Sequence, residues 1–267
     1  RFEKEEIPEC QKCWDQENAG IQSERQVFNE KWNCEEIKLR ELWIGIDNLC
    51  NLKCVMCNPQ NSSKWIEDNH LSMTPYGEIV KFSDETINDI LSNSAIIKRL
   101  QLAGGEPFYM PSVKRLLKGL VDSGDSKHIN LQITTNLTIL DTTVLQLLEN
   151  FQKIVITISV DGIGEVGEYI RFPMNWEKFE NNLDTLLQQK HIYTAINCTK
   201  SQLNAEHIDT LLDWCKEKGL TDVDINDLTD PSILAVGSPR SELITWLTAL
   251  DNHRGTDSKS ALPWIYE

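Results

Sequence analysis

The chain has 267 residues, 40% hydrophobic and 25% charged, which is enough for one sizeable core with a small appendage and unlike collagen-like or low-complexity sequence. Its 26 Lys and Arg face 41 Asp and Glu, a net charge of −15, which argues against sequence-independent binding to a nucleic-acid backbone or an anionic membrane surface. No stretch approaches the roughly 20 apolar residues needed to cross a bilayer, so a soluble, cytoplasmic protein that does not enter a membrane is expected. The first residue is Arg1 rather than Met, and the native N-terminus is expected to lie upstream of it.

Residues 1–38 carry Cys10 and Cys13, then polar and acidic sequence with Trp14, Phe28 and Trp32 as isolated apolar anchors. This reads as a mostly helical appended segment. From Glu41 onward, short β-branched runs alternate with segments of helical period, the pattern of βα repeats. Strands are expected at 42–46, 97–103, 130–135, 153–160, 193–198 and 223–227, and helices near 59–69, 84–95, 111–123, 140–150, 175–190 and 204–218. Ser83, Asp141 and Asn204 stand at helix starts as N-caps. Strands read as apolar on both faces and alternating with helices predict an α/β fold with a parallel sheet, wound as an open sheet or as a barrel. The tail 237–267 reads as one helix and an extended end, giving three expected parts: 1–38, 39–236 and 237–267.

The eight cysteines are unevenly placed: Cys10 with Cys13, then Cys50, Cys54 and Cys57 crowded together, with Cys34, Cys198 and Cys215 alone. Such clustering favours metal over disulfides. CNLKCVMC, holding Cys50, Cys54 and Cys57, follows the first strand directly, so three thiolates can converge from one short loop. A four-iron cubane bound this way keeps one iron open to a further ligand; a structural zinc completed by a His or by Cys34 is the rival for the same triplet. LAGGEP follows the second strand, and Gly104 and Gly105 there would let a ligand approach the backbone, with Glu106 able to accept from an ammonium. TTN (134–136) ends the third strand and SVDG (159–162) the fourth, with Arg171 further on. Each of these alone is a turn or a cap. Cys198, at the end of the fifth strand, reads as a buried apolar thiol.

Taken in order, CNLKCVMC, LAGGEP, TTN, SVDG and Arg171 resemble the core of a radical S-adenosylmethionine (SAM) enzyme across residues 40–230. The resemblance implies a partial (β/α)6 barrel of the TIM type. Cys50, Cys54 and Cys57 would hold a [4Fe-4S] cluster whose open iron is chelated by SAM. Met56 stands where such enzymes usually place an aromatic residue near the adenine, a contact a thioether can also make. Gly104, Gly105 and Glu106 would meet the methionyl ammonium, Ser159 with Asn136 and Asp161 the ribose, and Arg171 the carboxylate. One electron passed into the sulfonium would break its C5′–S bond, and the 5′-deoxyadenosyl radical would take hydrogen from substrate, with no side-chain acid or base needed for that step.

ECQKCW resembles the later half of an auxiliary-cluster module of twitch or SPASM-like members, so Cys10 and Cys13 would ligate an auxiliary iron–sulfur cluster completed upstream of Arg1 or by Cys34. A zinc pair or a redox-active CxxC is the alternative there. The expected partners are SAM, a peptide, protein or small-metabolite substrate, and an electron donor such as a flavodoxin or ferredoxin. Two rivals are kept. One is a radical SAM enzyme acting on a nucleotide-derived metabolite or RNA, which predicts a basic cavity mouth. The other is a non-catalytic zinc- or cluster-stabilised α/β binding protein.

Overall fold

Strands of a parallel sheet cannot be joined by tight hairpins, so each must be followed by a crossover that packs a helix on the sheet. The computed structural model, which describes residues 11–32, 39–66 and 81–266, has this plan. Two compact units result, Arg1–Arg40 and Glu41–Glu267. In the first, α1 (Gln11–Asn18) and α2 (Glu24–Trp32) are linked by Arg25, which pairs with Glu17 and stacks 4.1 Å from the Trp14 ring centroid.

The second unit is built on six strands: β1 (Glu41–Gly45), β2 (Arg99–Ala103), β3 (Asn130–Thr135), β4 (Lys153–Ser159), β5 (Ile192–Lys200) and β6 (Val223–Asp227). All neighbours are parallel and the spatial order is the chain order. A doubly wound sheet reverses its order at a switch point; this one winds in a single direction, with β1 and β6 at the edges, as a barrel does when it stops short of closure. The helices between strands are α3 (Ser63–Ile66), α4 (Asp84–Ser92), α5 (Pro111–Ser123), α6 (Thr142–Leu148), α7 (Gly164–Ile170), α8 (Trp176–Leu187) and α9 (Ile208–Glu217). Ser83 and Asp141 cap α4 and α6 by accepting from the Thr86 and Thr143 amides. Asn204 makes no cap. Its amide instead donates to the backbone carbonyls of Asp161 (2.8 Å) and Thr199 (3.0 Å), tying the ends of β4 and β5 together.

The strands alternate. Leu100, Leu102, Leu131, Ile133, Ile154 and Ile156 are buried against helix residues such as Leu117, Phe179 and Leu183 in the main core, each such side chain contributing about 1.5–3 kcal/mol. The other face is polar, so the expectation of strands apolar on both faces is corrected. On it Arg99 donates to Gln132 (2.9 Å), Gln132 to Thr157 (3.3 Å), and Asn226 to Asn197 (2.9 Å). One sheet face sees helices and the other an open concavity, which needs hydrogen-bonding groups rather than a second apolar layer.

After β6 the chain forms a 3-10 turn (Ser232–Leu234), α10 (Arg240–Arg254), α11 (Ser258–Ala261) and a second 3-10 turn, Pro263–Ile265, where an extended end was expected. Leu243, Leu247, Leu250, Leu262 and Ile265 build a second core with Val55, Trp65, Tyr169 and Ile170. Among the described residues no helix is long and apolar enough to cross a membrane.

Candidate active site at the strand ends

The loop after β1 has almost no secondary structure of its own and is held from outside. Gly105 donates to Asp47 O (2.9 Å) and Glu106 to Leu49 O (2.9 Å), pressing the turn after β2 onto the start of the loop. A Cβ on Gly105 would lie 2.4 Å from Leu49 O and 2.6 Å from its carbonyl carbon; at Gly104, with φ +128°, one would lie 2.7 Å from Asp47 O. The close approach these glycines permit is therefore made by the chain's own backbone, not only by a ligand as expected. Further along, Lys53 N–H donates to Phe172 O (2.6 Å), Val55 N–H to Ile170 O (2.8 Å), Ser62 Oγ to Leu52 O (2.6 Å) and Trp65 Nε1 to Cys54 O (3.2 Å).

This arrangement brings Cys50, Cys54 and Cys57 to the wall of a cavity of about 520 Å³, which Met56, Gly104, Gly105, Asn136, Ser159 and Arg171 also line. Cys50 and Cys54 are buried and Cys57 half-buried, all three as free thiols. Burial pushes Cys50 up to about 11. A hydrogen bond shared between Cys54 and Cys57 holds Cys54 below its ordinary value, helped by the charges of Arg171 and Arg254, and drives Cys57 above it. Among the described residues no three His, Cys, Asp or Glu are grouped as ligands of a single metal ion. The irons of a cubane are spread over its corners, so its thiolates ring a cavity instead of meeting at a point, and three soft sulfur donors beside open volume suit such a cluster.

Two of the residues expected to contact the ligand lie off the cavity lining. Glu106 was expected at the methionyl ammonium, but its carboxylate is fully buried and absent from the cavity lining. Oε1 accepts from Thr135 Oγ1 (2.6 Å) and Phe108 N–H (3.0 Å), and Oε2 from Asn136 N–H (2.6 Å). Burial raises it to about 7 against these three donors. Asp161, expected at the ribose, is also fully buried and off the lining. It pairs with Arg171 (2.7 Å) and accepts from Thr199 N–H (2.8 Å); burial pushes it up while Arg171 pulls it down. Both acids act behind the wall, Glu106 setting Asn136 and Asp161 setting Arg171. Met56, Asn136, Ser159 and Arg171 themselves face the cavity.

Cys198 is fully buried in the main core. Of the N-terminal cysteines, Cys13 lies half-buried on α1; Cys10 and Cys34 lie outside the described residues. Sequence reasoning missed Asn51, whose amide donates to Thr138 Oγ1 (2.8 Å) and whose carbonyl accepts from Asn136 Nδ2 (3.1 Å), linking the cysteine loop to the end of β3. It also missed Asn197 and Thr199 on the cavity wall. Their signal was their period-two placement on β5, with Asn197 paired to Ser159.

A parallel, singly wound α/β sheet carrying three thiols and a polar pocket at the carboxyl ends of its strands defines a partial-barrel α/β protein with a thiol-lined pocket. The family model of the radical SAM superfamily matches residues 46–215, and the chain belongs to that superfamily, which implies a [4Fe-4S] cluster and SAM. The GTP 3',8-cyclase of Pelotomaculum thermopropionicum is 26% identical over 165 residues, covering 60% of this chain and 47% of that protein. That of Aliarcobacter butzleri is 25% identical over 185 residues, covering 68% and 53%. The chain thus spans about half the length of these relatives. Among solved structures, anSMEcpe with bound AdoMet superimposes with a TM-score of 0.54 at 22% identity, over 72% of this chain and 52% of that one. Streptococcus suis SuiB bound to precursor peptide SuiA gives 0.54 at 15%, over 87% and 50%. At these identities the two structures speak for the fold, a partial TIM barrel.

Proposed function

We propose that this chain cleaves SAM reductively at a [4Fe-4S] cluster held by Cys50, Cys54 and Cys57 and turns the radical on a nucleotide-derived substrate. The observation that carries the first half is the convergence of the three thiols with Met56, Asn136, Ser159 and Arg171 on one cavity. When bound, the cluster and SAM supply the electron transfer and the hydrogen-abstracting radical. The chain's part is to bind and orient: Ser159 and Asn136 offer hydrogen bonds suited to ribose hydroxyls, Met56 an apolar contact to adenine, and Arg171, held in place by Asp161, a charge for the SAM carboxylate.

The second half rests on the named relatives, both GTP 3',8-cyclases, and moves the substrate from the peptide, protein or metabolite class to its nucleotide alternative. The described lining holds one cation, Arg171, and no carboxylate, so it is not the basic mouth a polyphosphate would call for. It offers neutral hydrogen bonds to a base or sugar, and a phosphate would take its charge partners from residues off this wall. The reading also includes a cytoplasmic setting, where thiols stay reduced, a flavodoxin- or ferredoxin-like electron donor, and Cys10 and Cys13 as part of a second cluster when further ligands are supplied.

The test is anaerobic: reconstitute, reduce with dithionite, and measure 5′-deoxyadenosine from SAM with GTP, other nucleotides or no addition, beside a Cys50, Cys54, Cys57 triple-alanine variant. Product from the wild type alone, raised by a nucleotide, is expected. Product that persists in the triple variant overturns the ligand assignment, and product insensitive to every nucleotide overturns the substrate class.

A further inference from the structure

The C-terminal segment has no part in the reading above, yet its core is shared with the cysteine loop. Leu243, Leu247 and Leu250 of α10 are buried with Val55, which follows Cys54, and with Trp65, whose indole N–H holds Cys54 O (3.2 Å). Asp251 clamps the segment by accepting from Tyr169 Oη (2.9 Å), Thr256 Oγ1 (2.7 Å) and Ser258 N–H (2.9 Å). At the end of α10, Arg254 places its guanidinium 4.9 Å from the Trp65 ring centroid and 5.2 Å from that of Phe172, and its Nη2 donates to Lys53 O. Lys53 lies between two of the three cysteines, and its own N–H is held by Phe172 O (2.6 Å). Arg254 therefore holds the Lys53 carbonyl directly and lies against the rings of Phe172 and Trp65, the residues whose backbone carbonyl and indole N–H hold Lys53 and Cys54.

We propose that Arg254 is a positioning residue for the cluster loop and holds a permanent positive charge behind the cluster that raises its reduction potential. The proposal rests on the cluster reading above. Arg suits both tasks, being charged at every accessible pH, planar enough to lie between two rings, and able to donate in-plane to a carbonyl. Adding an electron to a thiolate-bound cluster adds negative charge, and a fixed cation nearby in a poorly solvated setting stabilises the reduced form. The C-terminal helix then serves to carry a charge to the loop from about 200 residues away in sequence, a separation no local motif reports.

The experiment compares wild type with Arg254→Met, which keeps much of the volume without the charge, and Arg254→Lys, which keeps the charge without the planar fork. Iron and sulfide per chain are measured after anaerobic reconstitution, and the loaded fraction is titrated by EPR-monitored reduction. Arg254→Met is expected to shift to a more negative midpoint, with about tenfold less reduced cluster at a fixed potential, equivalent to about 59 mV for one electron. Arg254→Lys should keep a near wild-type midpoint while loading less iron. A loaded Arg254→Met with an unchanged midpoint overturns the proposal, as does an equal shift in both variants. If Arg254→Met does not fold, Arg254→Lys decides: full loading with a shifted midpoint overturns it. Wild type that takes up no cluster overturns this proposal and the cluster reading together, whereas a loaded wild type with an indifferent Arg254 overturns this one alone.

Discussion

Glu106 gives the sharpest test of the site's electrostatics, because it is fully buried and three donors from its own chain converge on it. Burial raises it from 4.5 to about 7. A carboxyl raised on folding keeps its proton in the folded state at pH values where the unfolded chain has lost it. Stability is then fully present below pH 4.5 and is lost as pH rises through 7. The full loss is about 3 kcal/mol, most of which falls between pH 5 and pH 8. Glu106→Gln removes the titration. It also sets an amide N–H against chain donors, so at pH 5 the variant should be the less stable by about 1–2 kcal/mol, a gap that closes and then reverses by pH 8 as the wild type weakens. Urea unfolding of metal-free, thiol-reduced protein at pH 5, 6, 7 and 8 reads the difference between the two, in which groups common to both cancel. A difference that stays flat to within about 0.5 kcal/mol across this range would show that the three donors fully offset the burial, and the argument would fail.

Three further outcomes are expected. Gly105→Ala sets a Cβ 2.4 Å from Leu49 O, and since the obstacle is backbone the loop must move; thermal unfolding should show a loss of about 1–3 kcal/mol, and iron uptake should fall several-fold. Asp161→Asn leaves Arg171 buried without its counterion, a cost of about 3–5 kcal/mol readable in the unfolding midpoint; an unchanged midpoint would mean that Arg171 finds another partner. Cys54→Ala should abolish 5′-deoxyadenosine formation under reducing conditions, and retained formation would remove Cys54 from the ligand set.

Much of the fold was legible because strand signals are local. All six expected strands recur within two residues of their observed ends. What misled was the faces. KIVITISV reads as apolar throughout, yet Val155, Thr157 and Ser159 alternate with buried Ile154, Ile156 and Ile158, and only the closing curvature of the sheet tells which side needs polar groups. α7 was absent from the reading because GEVGEYI is short and carries two glycines, weak helix formers on their own. Packing of Val166, Tyr169 and Ile170 into the second core stabilises it. At the site the sequence motifs supply the three cysteines and Met56, Asn136, Ser159 and Arg171 on the cavity wall, whereas the partners of Glu106 and Asp161 lie within the chain. An acid after a strand looks the same in sequence whether it faces a cavity or a neighbouring amide, and the difference lies in long-range partners such as Asn136 and Arg171.

The cysteine loop shows why this division is physical rather than accidental. A buried backbone segment without helix or ladder must still satisfy its N–H and C=O groups, and here the partners come from different elements: Glu106 after β2, Ile170 and Phe172 at the end of α7, Ser63 and Trp65 on α3, and Arg254 on α10. The three thiols are thus placed by contacts to distant parts of the unit, so the loop keeps its shape only when both cores are formed. Loss of the second core should therefore release the cysteines while leaving the six-stranded sheet intact. Leu247→Ala, which opens a cavity in that core alone, is expected to destabilise by about 2–5 kcal/mol and to lower iron uptake more than it lowers far-UV helix and strand signal. Equal losses of both would mean that the two cores fold and fail as one.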